Sequence, residues 1–91
     1  MPWHMVVIPQ VEGAFEFGHD LIRAFLILYK AAGRPAEVTI LHDRNDAGDH
    51  RYYFSPAASA LAADLLSAYN ATVCSEPADM EGLRRVPLED A

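Results

Sequence analysis

The sequence predicts an α+β domain of the ferredoxin-like kind, a split β-α-β-β-α-β sandwich with one antiparallel sheet and two helices on one face. Three observations predict it. Short β-rich runs alternate with two apolar stretches at helical spacing. The two central β-rich runs are joined by five turn-forming residues, NDAGD. The chain has 91 residues, enough for one sheet-and-helix core and too few for a second.

The first element is Trp3 to Ile8, WHMVVI, rich in strand-forming side chains and closed by Pro9, which brings no N–H to a ladder. A helix is expected over Asp20 to Ala32. Leu21, Phe25, Leu28 and Ala32 recur at helical spacing, Ile22, Leu26 and Tyr29 widen the stripe, and Gly33 and Pro35 supply the stop. Asp20 is expected at the positive end of that helix dipole. In the preceding GAFEFGHD, Gly13 and Gly18 read as turn glycines, since neither GxGxxG nor GxxxxGK[ST] phosphate-cradling spacing is present.

Glu37 to Arg44 and His50 to Ser55 are β-rich and read as a hairpin, with Gly48 free to take a positive φ. A five-residue loop sets Arg44 opposite His50, Asp43 opposite Arg51, His42 opposite Tyr52, Leu41 opposite Tyr53 and Ile40 opposite Phe54. A two- or four-residue loop would instead put His42 with Arg51 and Tyr53, and Asp43 with His50. The odd loop is preferred because it gathers Val38, Ile40, Tyr52 and Phe54 on one core face. It also sets Asp43 across from Arg51, a cross-strand charge pair contributing about 0.2–1 kcal/mol.

Ser55 offers an N-cap hydroxyl and Pro56 a first-turn proline to a helix running to about Asn70, with Leu61, Leu65 and Tyr69 on one face and alanines elsewhere. Ala71 to Ser75 follows as a last strand. The predicted organisation is a single domain over residues 1–76 and a polar tail over 77–91, with an extra edge strand at 82–86 as the one candidate element there.

Composition narrows the function. Seven basic against 13 acidic residues give a net charge of −6, which provides no general attraction to phosphate backbones or anionic lipid. The longest apolar run, Ala24 to Tyr29, is far shorter than the 18 or so residues of a membrane span. The single Cys74 cannot pair within the chain, and the N-terminus has no basic start or long apolar run of a leader, so the expectation is a cytoplasmic protein.

The stretch HDRNDAGDHRYYFSP, residues 42–56, concentrates the chemistry-bearing side chains. As a calcium loop beginning at Asp43 it would have Ala47 at position 5 and Phe54 at position 12, so the closing bidentate carboxylate is missing. As a zinc or iron site it offers His42 and His50 with Asp43 or Asp46, without CxxC or HExxH spacing. Arg51-Tyr52-Tyr53-Phe54 falls on the strand where RNA-recognition domains stack bases, yet lacks both small residues of that pattern. The expectation is no nucleic acid, no metal and no cofactor.

No catalytic motif is present, so the sequence leans away from an enzyme without deciding the point. His4, His42 or His50 would be its acid–base candidates, and Cys74 reads as a small apolar strand residue. What remains is a surface. The open sheet face is expected to carry Leu41, Asp43, Arg51 and Tyr53, joined from the first strand by Trp3 and its alternates or else by the His4 set. An apolar patch of this kind reads as partner-binding surface. The sequence therefore points to association, as a homodimer or as a module docking on another protein. The alternative is a dimeric barrel-type enzyme or ligand sensor whose His- and Arg-lined cavity, with His42 and His50 as candidates, takes a small molecule.

Overall fold

The structure, a computed structural model, describes residues 2–9, 11, 14–77 and 82–88, with 14–16 by backbone alone. It is an α+β fold. The elements in chain order are β1 (Trp3–Ile8), α1 (Ala14–Ala31), β2 (Ile40–Arg44), β3 (His50–Phe54), α2 (Pro56–Leu61), α3 (Ala63–Ala68), β4 (Thr72–Cys74) and β5 (Arg84–Arg85). The five strands form one antiparallel sheet in the order β4-β1-β3-β2-β5. Among the described residues no helix is long and apolar enough to cross a membrane.

Strand alternation divides the sheet into two unlike faces. Val6, Ile8, Ile40 and Phe54 point to the helices and are buried there with Leu21, Phe25 and Tyr29 of α1. Phe25 is central, its ring centroid 5.5 Å from that of Phe54 and 6.3 Å from that of Tyr29. The core stripe of α1 thus runs Leu21–Phe25–Tyr29, four residues apart, which rotates Leu28 outward to 37% exposure and leaves Ala32 exposed beyond the helix end.

The helix begins well before the expected Asp20, which lies inside it rather than at its cap. The misleading signal was Gly18. It is a buried helical residue and not a turn glycine: a Cβ there would meet the Tyr52 hydroxyl at 2.6 Å, so the absent side chain lets the ring of Tyr52 reach the helix. Gly13 lies outside the described residues. The other end of α1 is as the sequence suggests. Gly33 takes φ 85°, its N–H donates to the Lys30 carbonyl, and the Arg34 N–H donates to the Tyr29 carbonyl, the Schellman pattern that closes a helix.

The hairpin adopts the odd register, with Arg44 opposite His50 and Asp43 opposite Arg51. Asn45 closes the turn. Its backbone N–H donates to the Asp49 carbonyl, and its side-chain oxygen accepts from the Asp49 N–H at 2.9 Å. Gly48 takes φ 87° and donates to the Asn45 carbonyl.

The expected second helix is divided at Ala62, whose φ −126° and ψ 35° leave the helical region. Hydrogen bonds from Ala62 N–H to Ala58 and from Leu66 N–H to Ala62 carry the buried line Ala58–Ala62–Leu66 through the break. This line, and not Leu61, Leu65 and Tyr69, presses on the sheet; those three pack at the core margin. Small side chains let the helix backbone approach the strands closely. Asn70, at φ 57°, ends α3 with the same Schellman pairing that Gly33 gives α1.

The described part of the tail, residues 82–88, lies edge-on beside β2. Leu41 pairs with Arg85 and His42 with Arg84, the Val86 N–H donates to the Ile40 carbonyl, and Leu88 is buried in the core. These described residues therefore widen the sheet and do not lie across its open face.

Ser55 joins the hairpin to α2. Its buried hydroxyl oxygen accepts from the Ala58 N–H at 3.4 Å as the helix cap and from the Thr39 N–H at 3.0 Å, across from the strand end. Ser55→Ala is expected to cost about 1–3 kcal/mol, since it removes a cap and strands two backbone donors. Urea denaturation of the two proteins measures this directly, and a loss below a few tenths of a kcal/mol would show that water replaces the hydroxyl.

Candidate functional site

Two surfaces gather the polar and aromatic side chains, and the hairpin register assigns each residue to one of them. On the open face, the middle row across the strands reads Thr72, Met5, Tyr53, Leu41 and Arg85. Beside it on one side lie Trp3 and Cys74, and on the other Val7, Arg51 and Asp43. The first strand thus contributes Trp3, Met5 and Val7 to this face, while His4 turns to the helix side.

The charges on this face satisfy each other. Arg51 donates from Nε to Asp43 Oδ1 at 2.8 Å and from Nη2 to Asp43 Oδ2 at 2.7 Å, a two-pronged pair. Its guanidinium carbon also sits 6.0 Å from the centroid of the Tyr53 ring. Asp43 holds Arg51 still more firmly protonated than usual, and burial, followed by the charge of Asp43, pushes the Tyr53 hydroxyl up. Leu41 is 4% exposed, so it supports the face from beneath instead of presenting itself. Val7, at 41%, is its most open apolar side chain among the large ones. Burial likewise raises the Cys74 thiol, which works against thiolate formation.

The histidines lie elsewhere. His42 and His50 occupy the helix side of the hairpin, with His42 Nε2 and His50 Nδ1 3.0 Å apart and the rings nearly parallel at a centroid distance of 5.3 Å. Tyr52 packs on His42 at 4.8 Å. Asp43, one of the two candidate carboxylates beside them, is turned to the other face and held by Arg51. The set His42–Asp43–His50 is therefore not assembled, and no cluster of three or more His, Cys, Asp or Glu suited to a metal occurs among the described residues. His4 sits apart, facing a hollow beside Ser59 and Ser67, its Nδ1 buried without a hydrogen-bond partner.

The His42–His50 pair opens into a groove of about 620 Å³ between α1 and the β2–β5 edge. Ile22, Leu26 and Ile27 of α1 form one wall with Arg23 and Lys30, and Arg84, Val86 and Pro87 form the other. Sequence reasoning named His42 and His50 as pocket candidates but did not find the walls around them. The available signals were the spacing of Arg23 and Lys30 beside an apolar stripe and the doublet Arg84-Arg85, but nothing local shows that these segments meet.

Compared with family models, with curated proteins and with solved structures, the chain matches none.

Protonation of His42 bears on this pair. Burial lowers the pKa of His42 from its ordinary 6.5; His50 lowers it further, as do Arg44 and Arg84, against an opposing effect of Asp43. The hydrogen bond requires one ring nitrogen to lack a proton, so a doubly protonated pair cannot keep it. Because the unfolded chain takes up the His42 proton at a higher pH than the folded one, this contribution to stability is complete above 6.5. It is lost as pH falls through 6.5 towards the lowered folded value. Thermal melts are expected to show a decline in Tm across that range that is smaller in His42→Gln; equal slopes for the two proteins would remove His42 as its source.

Proposed function

We propose that the protein acts by association, with a second copy packed on the open sheet face. The observation that carries this reading is the apolar patch of Trp3, Met5, Val7 and Tyr53, over which no described element lies. A chain of this size buries only about 60–65% of its unfolded surface, so covering a sheet face adds stabilisation that its single core lacks.

The occupant is identified by charge. The whole chain carries −6, yet the centre of this face is neutral because Asp43 and Arg51 cancel in place. Two like faces can meet about a two-fold axis through this neutral centre, with Arg85 left at the margin, which favours a second copy over a basic partner. The order β4-β1-β3-β2, with the helices on the opposite side, supports the ferredoxin-like reading of the domain, an architecture that leaves this face free for pairing. Such a pair would enclose Trp3, Met5, Val7 and Tyr53 and none of His4, His42 or His50. A histidine-lined barrel interior therefore finds no support in it.

Sedimentation equilibrium at micromolar concentrations is expected to give a dimer for the native chain. Val7→Glu, at an exposed position, places a carboxylate in the dry interface and is expected to weaken association by roughly a hundredfold or more, with far-UV circular dichroism unchanged. A native chain that remains monomeric up to its solubility limit would end this reading.

A further inference from the structure

We propose that the groove between α1 and the β2–β5 edge is a binding site for an amphipathic anion, a small molecule with a carboxylate at one end and an apolar body. The inference is independent of the dimer, because the groove opens on the helix side of the sheet and the open face lies behind it.

The charge of the site runs against that of the chain. With 13 acidic residues against seven basic ones, a surface hollow would ordinarily include acids, yet no described Asp or Glu lines this one. Arg23, Lys30 and Arg84 do, together with His19, His42 and His50. Arg85 also borders the groove, but it pairs opposite Leu41 and donates to Thr39 Oγ1 on the open face, so its charge is directed away. The acid nearest in sequence to His42, Asp43, is engaged by Arg51 on that same far side.

The charge is also concentrated at one place. Arg84 stands directly opposite His42 in the β2–β5 register, and the pair His42–His50 presents ring nitrogens beside it. Like charges placed this close disfavour one another; burial lowers the basicity of His42 most, and His50, Arg44 and Arg84 lower it further against an opposing effect of Asp43. An anion seated between Arg84 and the histidine pair relieves this repulsion and accepts charge-assisted hydrogen bonds from the guanidinium.

Apart from Arg23, Lys30 and His19 on the α1 side, the rest of the groove is mainly apolar. Ile22, Leu26, Val86 and Pro87 line it, and Ile27 at its margin is 67% exposed, an aliphatic side chain left in water on a helix that buries its other face. A volume of about 620 Å³ falls within the roughly 300–1,000 Å³ of small-molecule sites, which combine mostly apolar walls with a few convergent polar groups. A bare inorganic anion would leave these walls uncovered, and an uncharged hydrocarbon would leave the cations unanswered. Both features together select a molecule that has both ends.

The test is a titration of the ¹⁵N-labelled full chain with octanoate, with octanamide as the uncharged isostere and with inorganic phosphate as the anion without a body. Octanoate is expected to saturate, shifting amide resonances of the groove side of α1 and of residues 84–87. Octanamide and phosphate should each bind about tenfold or more weakly, the loss of roughly one charge-assisted contact or of the apolar burial. Arg84→Gln, at an exposed position, should weaken octanoate about tenfold and leave octanamide unchanged. Octanamide binding as tightly as octanoate would reduce the site to an apolar hollow, and phosphate binding as tightly would reduce it to a cation patch. Either result overturns the proposal, as does the absence of saturable octanoate binding or an Arg84→Gln variant that binds like the native chain. Repeating the titration on Val7→Glu separates the two hypotheses, since that substitution lies on the other face and is expected to leave octanoate affinity unchanged.

Discussion

The register of the β2–β3 hairpin is the constraint on which every other feature depends. Side chains alternate across a strand, so a slip of one residue would exchange all of the inward and outward positions at once. With the five-residue turn in place, Ile40 and Phe54 enter the core, Asp43 meets Arg51 on the open face, and His42 meets His50 on the helix side. The turn itself is over-determined. Asn45 and Asp49 bond through backbone and side chain, and Gly48 takes the positive φ that other residues resist. Its two flanking pairs then agree with it, one by opposite charge and one by a shared proton. Local chemistry and core burial select the same answer, the condition under which a short strand pair has a single arrangement.

That register also separates two kinds of surface in one small molecule. The open face is broad and apolar with a self-neutralised centre; the groove is cationic and walled by helix and tail. Among the described acids, Asp43 on the open face is paired with Arg51, Asp20, Glu37, Asp46, Asp64 and Glu76 are exposed, and none of these lines the groove. The overall charge thus describes the solvated exterior and misdescribes the places where binding would occur. An argument from net charge is strong against a long polyanion, which must sum over the whole surface. It is weak against a small anion, which responds to the few groups within contact distance.

How much was legible in the sequence follows the range of the interactions involved. The hairpin could be read because Asn45, Gly48, Asp43 and Arg51 fix it within a dozen residues. The cap Ser55-Pro56 and the stop at Gly33 could be read for the same reason. The start of α1 could not. Gly18 resembles punctuation until Tyr52, more than thirty positions away, is seen to occupy the space its side chain would fill. The division at Ala62 has no Gly or Pro to announce it. In the second helical segment the abundant alanines signalled close packing on the sheet, and Ala58 and Ala62 are buried there while Leu61, Leu65 and Tyr69 pack at the core margin. The open-face residues followed directly from the register. The groove did not, since its two walls come from α1 and from a strand more than fifty residues later.

That strand, β5, shows how a minimal element can complete a site. Two residues give too short a ladder to hold a strand in place, and the anchors are the bond from Val86 to Ile40 and the burial of Leu88. Once these are set, Arg84 and Arg85 must point to opposite faces, one toward His42 and one beside Leu41. A single short run of chain therefore contributes the cation of the groove and the margin of the open face together. Of the two anchors Val86 lines the groove while Leu88 lies outside both surfaces, so loss of Leu88 from the core would loosen a wall of the groove without touching any group that lines it. In this fold the integrity of the cationic site rests on core packing at the sheet edge, and the polar residues inherit their positions from it.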